Sequence, residues 1–353
     1  MQETLKKVAK ELVAPGKGIL AADESPATLG KRFKEVGVEN TVENRMAYRR
    51  MLMGVEGLEE FISGMILHEE TLMDEQIGAG EKLKRRGIHA GIKVDRGTVK
   101  YMGEETFTQG LDDLAKRLQG YKKAGATFAK WRSVLSISST DQFLNSTPSQ
   151  GAIRANAMGL ALYAALCQSE CIVPIVEPEI LMDGDHSIEV SRRVTERVLT
   201  EVFRELQMQG VLIEGVLLKP AMVTPGRDAE PVSSEVIAEA TLEAFMRVIP
   251  PALPGIVFLS GGQSEAEATS NLAAINFKAG KKAPPWSLSF SYGRALQQSV
   301  LQAWSSESKC TNTNLSQSKL IERARACSKA TLGEQDISSQ GSKQSTFVPG
   351  YNY

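Results

Sequence analysis

Eight short apolar runs, each closed by polar or glycine-containing residues and followed by a helical pattern, leave this 353-residue chain few folds to choose from. They are "GILAADES" (18–25), "FISGMILHEE" (61–70), "HAGIKVD" (89–95), "TFAKWRSV" (127–134), "CIVPIVEPEIL" (171–181), "VLIEGVLLKP" (211–220), "GIVFLSGG" (255–262) and "SLSFSYG" (287–293). Strands buried on both faces read as near-continuous apolar runs, and strands that alternate with helices assemble into parallel sheets. Eight such units predict an α/β fold, a closed parallel (β/α)8 TIM barrel; a doubly wound open sheet is the alternative. Ile188, Val194, Val198 and Phe203 carry the helical period between the fifth and sixth runs. Ser264 with Glu267 is a capping-box pattern that opens a helix after the seventh run. The first connection, 26–60, is long enough for two helices. Leu5, Val8, Ala9, Leu12 and Val13 predict an extra N-terminal amphipathic helix that packs on the body. No linker-like stretch interrupts residues 15–330. Residues 1–332 therefore read as a single domain, and 333–353 as a flexible, mobile C-terminal tail with an aromatic end. The Ser- and Thr-rich stretch 136–151 reads as an exposed loop after the fourth strand.

Composition excludes several functions. A net charge of -1 offers no global field for nucleic acid or a membrane surface. No apolar run approaches the ~20 residues needed to cross a bilayer. The first residues are not a secretory signal, and their glutamates argue against a transit peptide. The four cysteines lack zinc-ribbon spacing and read as reduced thiols. The three histidines, His68, His89 and His186, lie in separate segments, so no metal and no cofactor are expected.

In a barrel of this type the C-terminal strand ends form the active face. Asp23 and Ser25 end the first run, Lys93 and Asp95 the third, and Lys130 and Arg132 lie on the fourth. Glu177 and Glu179 lie on the fifth, and Lys219 ends the sixth. Ser260, Gly261 and Gly262 close the seventh, and Ser291, Gly293 and Arg294 the eighth. Each alone has a bland reading: a strand-end lysine is usually a solvated or paired surface charge, and Glu-Pro-Glu can be a turn. Together, six of the eight runs place charge at the same end, which is costly to bury unless the groups pair.

Carbonyl chemistry accounts for that cluster. A free lysine has a pKa of about 10.4, but burial and a neighbouring cation disfavour the ammonium form. A neutral amine in an apolar strand can attack a ketone, and the resulting iminium is an electron sink when a C–C bond breaks. Lys219 has the apolar setting, Lys130 is the neighbouring cation, and Pro220 ends the strand at the mouth. Glu177, Glu179 and Asp23 are of the type that carries protons. Ser260, Gly261 and Gly262 can offer backbone N–H groups to a phosphate before a helix N-terminus, and Arg294 adds a fork of donors. Lys93, Arg132 and Ser25 could hold a second phosphate across the mouth.

"IEGVLLKPAMV", "PIVEPEIL", "FLSGGQSE", "FSYGRALQ", "GILAADES" and "FAKWR" together resemble class I fructose-bisphosphate aldolase, in order, over residues 10 to 330. The resemblance implies a metal-independent (β/α)8 lyase of glycolysis and gluconeogenesis. It implies reversible cleavage of fructose 1,6-bisphosphate to dihydroxyacetone phosphate and glyceraldehyde 3-phosphate. By resemblance, Lys219 forms the Schiff base, Glu177 shuttles protons, Glu179 and Lys130 support them, and Asp23 takes the C4 hydroxyl proton. Ser260, Gly261, Ser291, Gly293 and Arg294 would hold the C1 phosphate; Ser25, Lys93 and Arg32 would meet the other. Tyr353 corresponds to the family's terminal tyrosine, which reaches back to the site. A cytoplasmic homotetramer acting on sugar phosphates is implied, with a plastid enzyme as the alternative. Ala221, Pro26 and Arg96 depart from the common pattern, and the loop at 136–151 is longer than expected. Rival readings are another Schiff-base aldolase or a transaldolase on the same barrel, a metal-dependent aldolase, and a non-catalytic barrel that binds sugar phosphates or a protein.

Overall fold

The computed structural model describes residues 1–138, 147–306, 313–334 and 341–350. It opens with α1 (Gln2–Leu12), β1 (Gly18–Ala22), α2 (Pro26–Glu35), α3 (Val42–Gly54) and β2 (Ile62–Leu67). There follow α4 (Glu69–Leu72), α5 (Ala79–Arg85), β3 (His89–Lys93), β4 (Thr98–Lys100), β5 (Thr106–Thr108), α6 (Leu114–Lys123) and β6 (Ala126–Leu135). Next come α7 (Gln150–Ser169), β7 (Val173–Ile180), α8 (Ile188–Met208), β8 (Leu217–Leu218), α9 (Ser234–Val248) and β9 (Gly255–Phe258). The last elements are α10 (Glu265–Lys282), β10 (Ser287–Tyr292), α11 (Arg294–Ser306) and α12 (Asn314–Thr331).

Strands β1, β2, β3, β6, β7, β8, β9 and β10 close in that order into one barrel, every neighbouring pair parallel. Each of the eight expected runs supplies one strand. The long first connection holds α2 and α3, and the capping box is complete: Glu267 N–H donates to Ser264 Oγ while Ser264 N–H donates to Glu267 Oε2. The expected N-terminal helix is α1. Its Leu5, Ala9 and Leu12 join a buried cluster with Ile66, Phe128, Val173, Leu217 and Val257 from the barrel strands. Glycine is required where the ring of Phe128 crosses the interior. A Cβ on Gly64 would meet Leu12 at 2.7 Å and Phe128 at 3.1 Å.

Four segments differ from the sequence reading. The sixth run, expected as a strand over 211–220, forms a 3-10 turn at Ile213–Gly215 and only a two-residue β8. The side chain of Gln168 takes over the backbone there, accepting from Leu212 N–H and donating to the carbonyls of Leu212 and Gly215. In the second run, His68 leaves the strand to cap α4, its Nδ1 accepting from Glu70 N–H at 3.1 Å. An unexpected antiparallel hairpin, β4 with β5, fills the segment after β3. Of the loop read over 136–151, residues 139–146 lie outside the described residues. Ile137 is buried rather than exposed, and Ser149 caps α7.

Candidate active site

Parallel strands of one handed twist bring their carboxyl ends to one mouth, so the polar strand ends meet there. On β6 and β7 the register places Arg132 opposite Glu177 and Lys130 opposite Ile175. Lys130 and Arg132, two apart, point to the same side, as do Glu177 and Glu179. The cleft is walled by Asp23, Glu24, Arg132, Glu177, Glu179, Lys219, Ser260, Gly261, Ser291, Gly293 and Arg294, with Ala21 and Leu259 as its apolar lining.

At the centre stands Lys219, 4% exposed, whose Nζ is 3.0 Å from Glu177 Oε1. The second oxygen of Glu177 is 3.3 Å from Lys130 Nζ, so one carboxylate bridges both ammonium groups. Lys130, 1% exposed, also lies 2.8 Å from Asp23 Oδ2 and 4.0 Å from Asp95 Oδ2. Arg132 Nε donates to Glu179 Oε2. Lys93 Nζ contacts Asp95 Oδ1 at 2.5 Å. The buried charges are thus paired, as their desolvation demands.

The pairing fixes protonation. Burial pushes the Asp23 carboxyl up, but the fields of Lys130, Lys219 and Lys93 outweigh it and hold the group at about 2. Burial likewise opposes ionisation of Glu179 and Asp95. Arg132 beside the first, and Lys93 with Lys130 beside the second, keep both below the ordinary carboxylate range. These three groups are carboxylates at neutral pH.

The opposite wall has the chemistry that suits an anion. Gly261 and Gly262 have φ of +46° and +85°, a conformation that glycine adopts without steric cost. They turn the chain from β9 into the N-terminus of α10, where backbone N–H groups and the helix dipole favour negative charge. Ser291 Oγ is buried and has no hydrogen-bond partner among the described residues. Ser260, Gly261, Ser291, Gly293 and Arg294 all reach the cleft. Gly262 is not on the cleft wall, and a Cβ there would meet Met182 Sδ at 3.0 Å and Phe347 at 3.1 Å.

Ser25, Arg32 and Lys93 sit beside the cleft rather than on its wall. Ser25 caps α2, its Oγ accepting from Thr28 N–H at 3.2 Å, and Pro26 takes the first helical position, which suits its fixed φ. Arg32, on α2, is ion-paired with Glu24. Tyr353 lies outside the described residues. Residues 341–350 fold back over the glycine turn. Arg294 donates to the Thr346 carbonyl, Thr346 Oγ1 donates to the Gln263 carbonyl at 2.7 Å, and Gly350 N–H donates to Asp183 at 2.6 Å. Sequence reasoning passed over Glu24, because strand alternation assigns it the face opposite Asp23. β1 ends at Ala22, so alternation no longer governs it. Among the described residues, no three His, Cys, Asp or Glu side chains are grouped to hold a metal ion.

Fold and site together define a (β/α)8-barrel enzyme with a lysine-centred, carboxylate-rich mouth facing a glycine turn at the N-terminus of α10. The sequence profile of the family described as fructose-bisphosphate aldolase class-I matches residues 4–353. A fructose-bisphosphate aldolase of Drosophila melanogaster is 49% identical over 363 aligned positions, covering 100% of this chain and 97% of its own. The cytosolic fructose-bisphosphate aldolase 5 of Arabidopsis thaliana is 50% identical over 359, covering 99% and 98%. Among solved structures, the fructose-bisphosphate aldolase of Plasmodium falciparum, in complex with TRAP and a small-molecule inhibitor, superposes with a TM-score of 0.89 at 49% identity and 94% coverage of each chain. The chain belongs to the class I fructose-bisphosphate aldolase family, and its activity is that of a carbon–carbon lyase on fructose bisphosphate.

Proposed function

We propose that cleavage of fructose 1,6-bisphosphate runs through a Schiff base on Lys219. The observation that carries this reading is the buried Lys219 ammonium 3.0 Å from Glu177, since that carboxylate can take the proton that makes the amine a nucleophile. The amine adds to the C2 ketone, and Glu177 returns the proton to the departing hydroxyl, leaving water and an iminium. The C3–C4 bond then breaks. Its electron pair flows into the iminium, and the C4 hydroxyl proton passes to a carboxylate, for which Asp23 is placed. The aldehyde triose phosphate leaves, the enamine takes a proton at C3, and water releases dihydroxyacetone phosphate. Lys130 balances the charge on Glu177 and Asp23; Glu179 is held by Arg132 at the same wall. Removing the nucleophile of such a site costs about 10⁴-fold or more in kcat, and removing a proton carrier about 10²–10⁴.

The C1 phosphate is assigned to Ser260, Gly261, Ser291, Gly293 and Arg294, with Gly262 shaping the turn behind them. The other is assigned to Ser25, Arg32, Lys93 and Arg132. Tyr353, at the end of the tail beginning near residue 333, is assigned to the site, because residues 341–350 already run over the glycine turn. The remaining 1–332 is one catalytic domain. The chain works as a cytoplasmic homotetramer in glycolysis and gluconeogenesis. Similar plant proteins named cytosolic support the compartment. The decisive experiment is borohydride reduction with dihydroxyacetone phosphate, followed by peptide mapping. An adduct on Lys219 is expected. A folded protein that binds phosphate but traps no adduct there overturns the mechanism.

A further inference from the structure

Asp95 lies between two lysines of neighbouring strands, Lys93 on β3 and Lys130 on β6. Its residue is 7% exposed. Oδ1 is 2.5 Å from Lys93 Nζ, and Lys93 Nζ also donates to the Asp95 backbone carbonyl at 2.9 Å. Oδ2 points the other way, 4.0 Å from Lys130 Nζ, and has no hydrogen-bond partner among the described residues. Lys130 in turn is 2.8 Å from Asp23 and 3.3 Å from Glu177. A short chain therefore runs from Lys93 through Asp95 and Lys130 to the carboxylates beside Lys219.

We propose that Asp95 is a positioning residue that reports occupancy of the second phosphate site to the reacting centre. The inference rests on the assignment of Lys93 to that phosphate. Asp95 is neutralised chiefly by Lys93, the nearer of its two lysines. A phosphate that takes Lys93 leaves the Asp95 charge to be answered by Lys130. Lys130 then shares less of its charge with Asp23, and a carboxylate so closely paired to an ammonium is a weak base. Drawing Lys130 towards Asp95 raises the basicity of Asp23 when a doubly phosphorylated substrate is bound. The second phosphate thus raises kcat in addition to lowering KM, and Asp95 is the link. Asp23 begins well below the range of an efficient base, at about 2, so there is room for the change to matter.

The test compares fructose 1,6-bisphosphate with fructose 1-phosphate, and uses inorganic phosphite to fill the second site while the monophosphate is cleaved at saturation. In the unaltered protein, phosphite should raise kcat on the monophosphate several-fold, up to about tenfold for one unit of base strength. In Asp95→Asn that rise disappears, and the kcat advantage of the bisphosphate shrinks towards one, with kcat on the monophosphate kept. Asp95→Glu restores part of both. No rise with phosphite in the unaltered protein overturns the inference without requiring any variant to fold. So does an equal loss of kcat on both substrates in Asp95→Asn, which would make Asp95 a general support. An effect on KM alone, which would make it a simple tether for Lys93, overturns it as well. Lys93→Met separates the two layers. If KM for the bisphosphate is unchanged there, the phosphate assignment itself is wrong and the coupling falls with it; if KM rises, the Asp95 result stands alone.

Discussion

At the scale of single residues, the site consists of charges that cannot be buried alone. The carboxyl of Asp23 ordinarily titrates at 3.8 and is held at about 2 in the folded chain. A depressed folded value stabilises the protein above the unfolded value and loses that contribution as pH falls through the folded one. Asp23 therefore contributes about 2 kcal/mol that is complete above pH ~5 and gone near pH ~1. Asp95 and Glu179 act in the same direction. In denaturant unfolding from pH 6 to 2, the gap between the unaltered protein and Asp23→Asn should narrow by about that amount; a constant gap would mean that the pairing does not set the titration. For the reaction, Glu177→Gln should lower kcat by about 10²–10⁴-fold while phosphate binding by calorimetry persists. The residue types and their places at strand ends were legible in the sequence, because alternation and Pro220 locate them. Their pairing was not. That Arg132 takes Glu179 while Lys130 takes Glu177 depends on the register between β6 and β7, and the reach of Lys130 to Asp95 on that between β3 and β6. No spacing along one strand encodes either register.

At the scale of elements, local chemistry was readable wherever a backbone group is satisfied by a near neighbour. The capping box joins Ser264 and Glu267, three positions apart, and stands as expected. It also fixes the start of α10 directly after the glycine turn. Ser264→Ala should cost about 1 kcal/mol in urea unfolding. It should also raise KM for phosphorylated substrates by loosening Gly261; an unchanged KM would detach the cap from the site. The shortened β8 was not readable. Its backbone is served by Gln168, 44 residues away from Leu212, and a run of Val, Leu and Ile looks like strand until that amide arrives. His68 escaped for a similar reason, since an imidazole that caps a four-residue helix leaves little mark on a hydrophobic pattern.

At the scale of the whole molecule, the barrel count came from periodicity alone, since eight buried runs separated by helices admit few closed arrangements. How the base is closed required the structure. Leu12 of α1 is fully buried and lies beside Gly64 and the Phe128 ring. Leu12→Ala should lower stability by about 2–5 kcal/mol, measured by denaturant unfolding. KM should not move, because the cleft opens at the other end; a raised KM would show that the base and the mouth are mechanically linked.

The close pairing of charge at the mouth also bears on how substrate is found. Pairs of opposite charge a few ångströms apart cancel when viewed from beyond the screening distance of about 8 Å in physiological salt. The chain as a whole carries only -1. A phosphorylated sugar in solution is therefore neither drawn in nor repelled until it reaches the rim, and its capture depends on collision and fit. The molecule gives up long-range attraction for a site that stays folded and paired while it waits. Its association rate should respond only weakly to ionic strength, unlike that of enzymes whose clefts carry unbalanced charge.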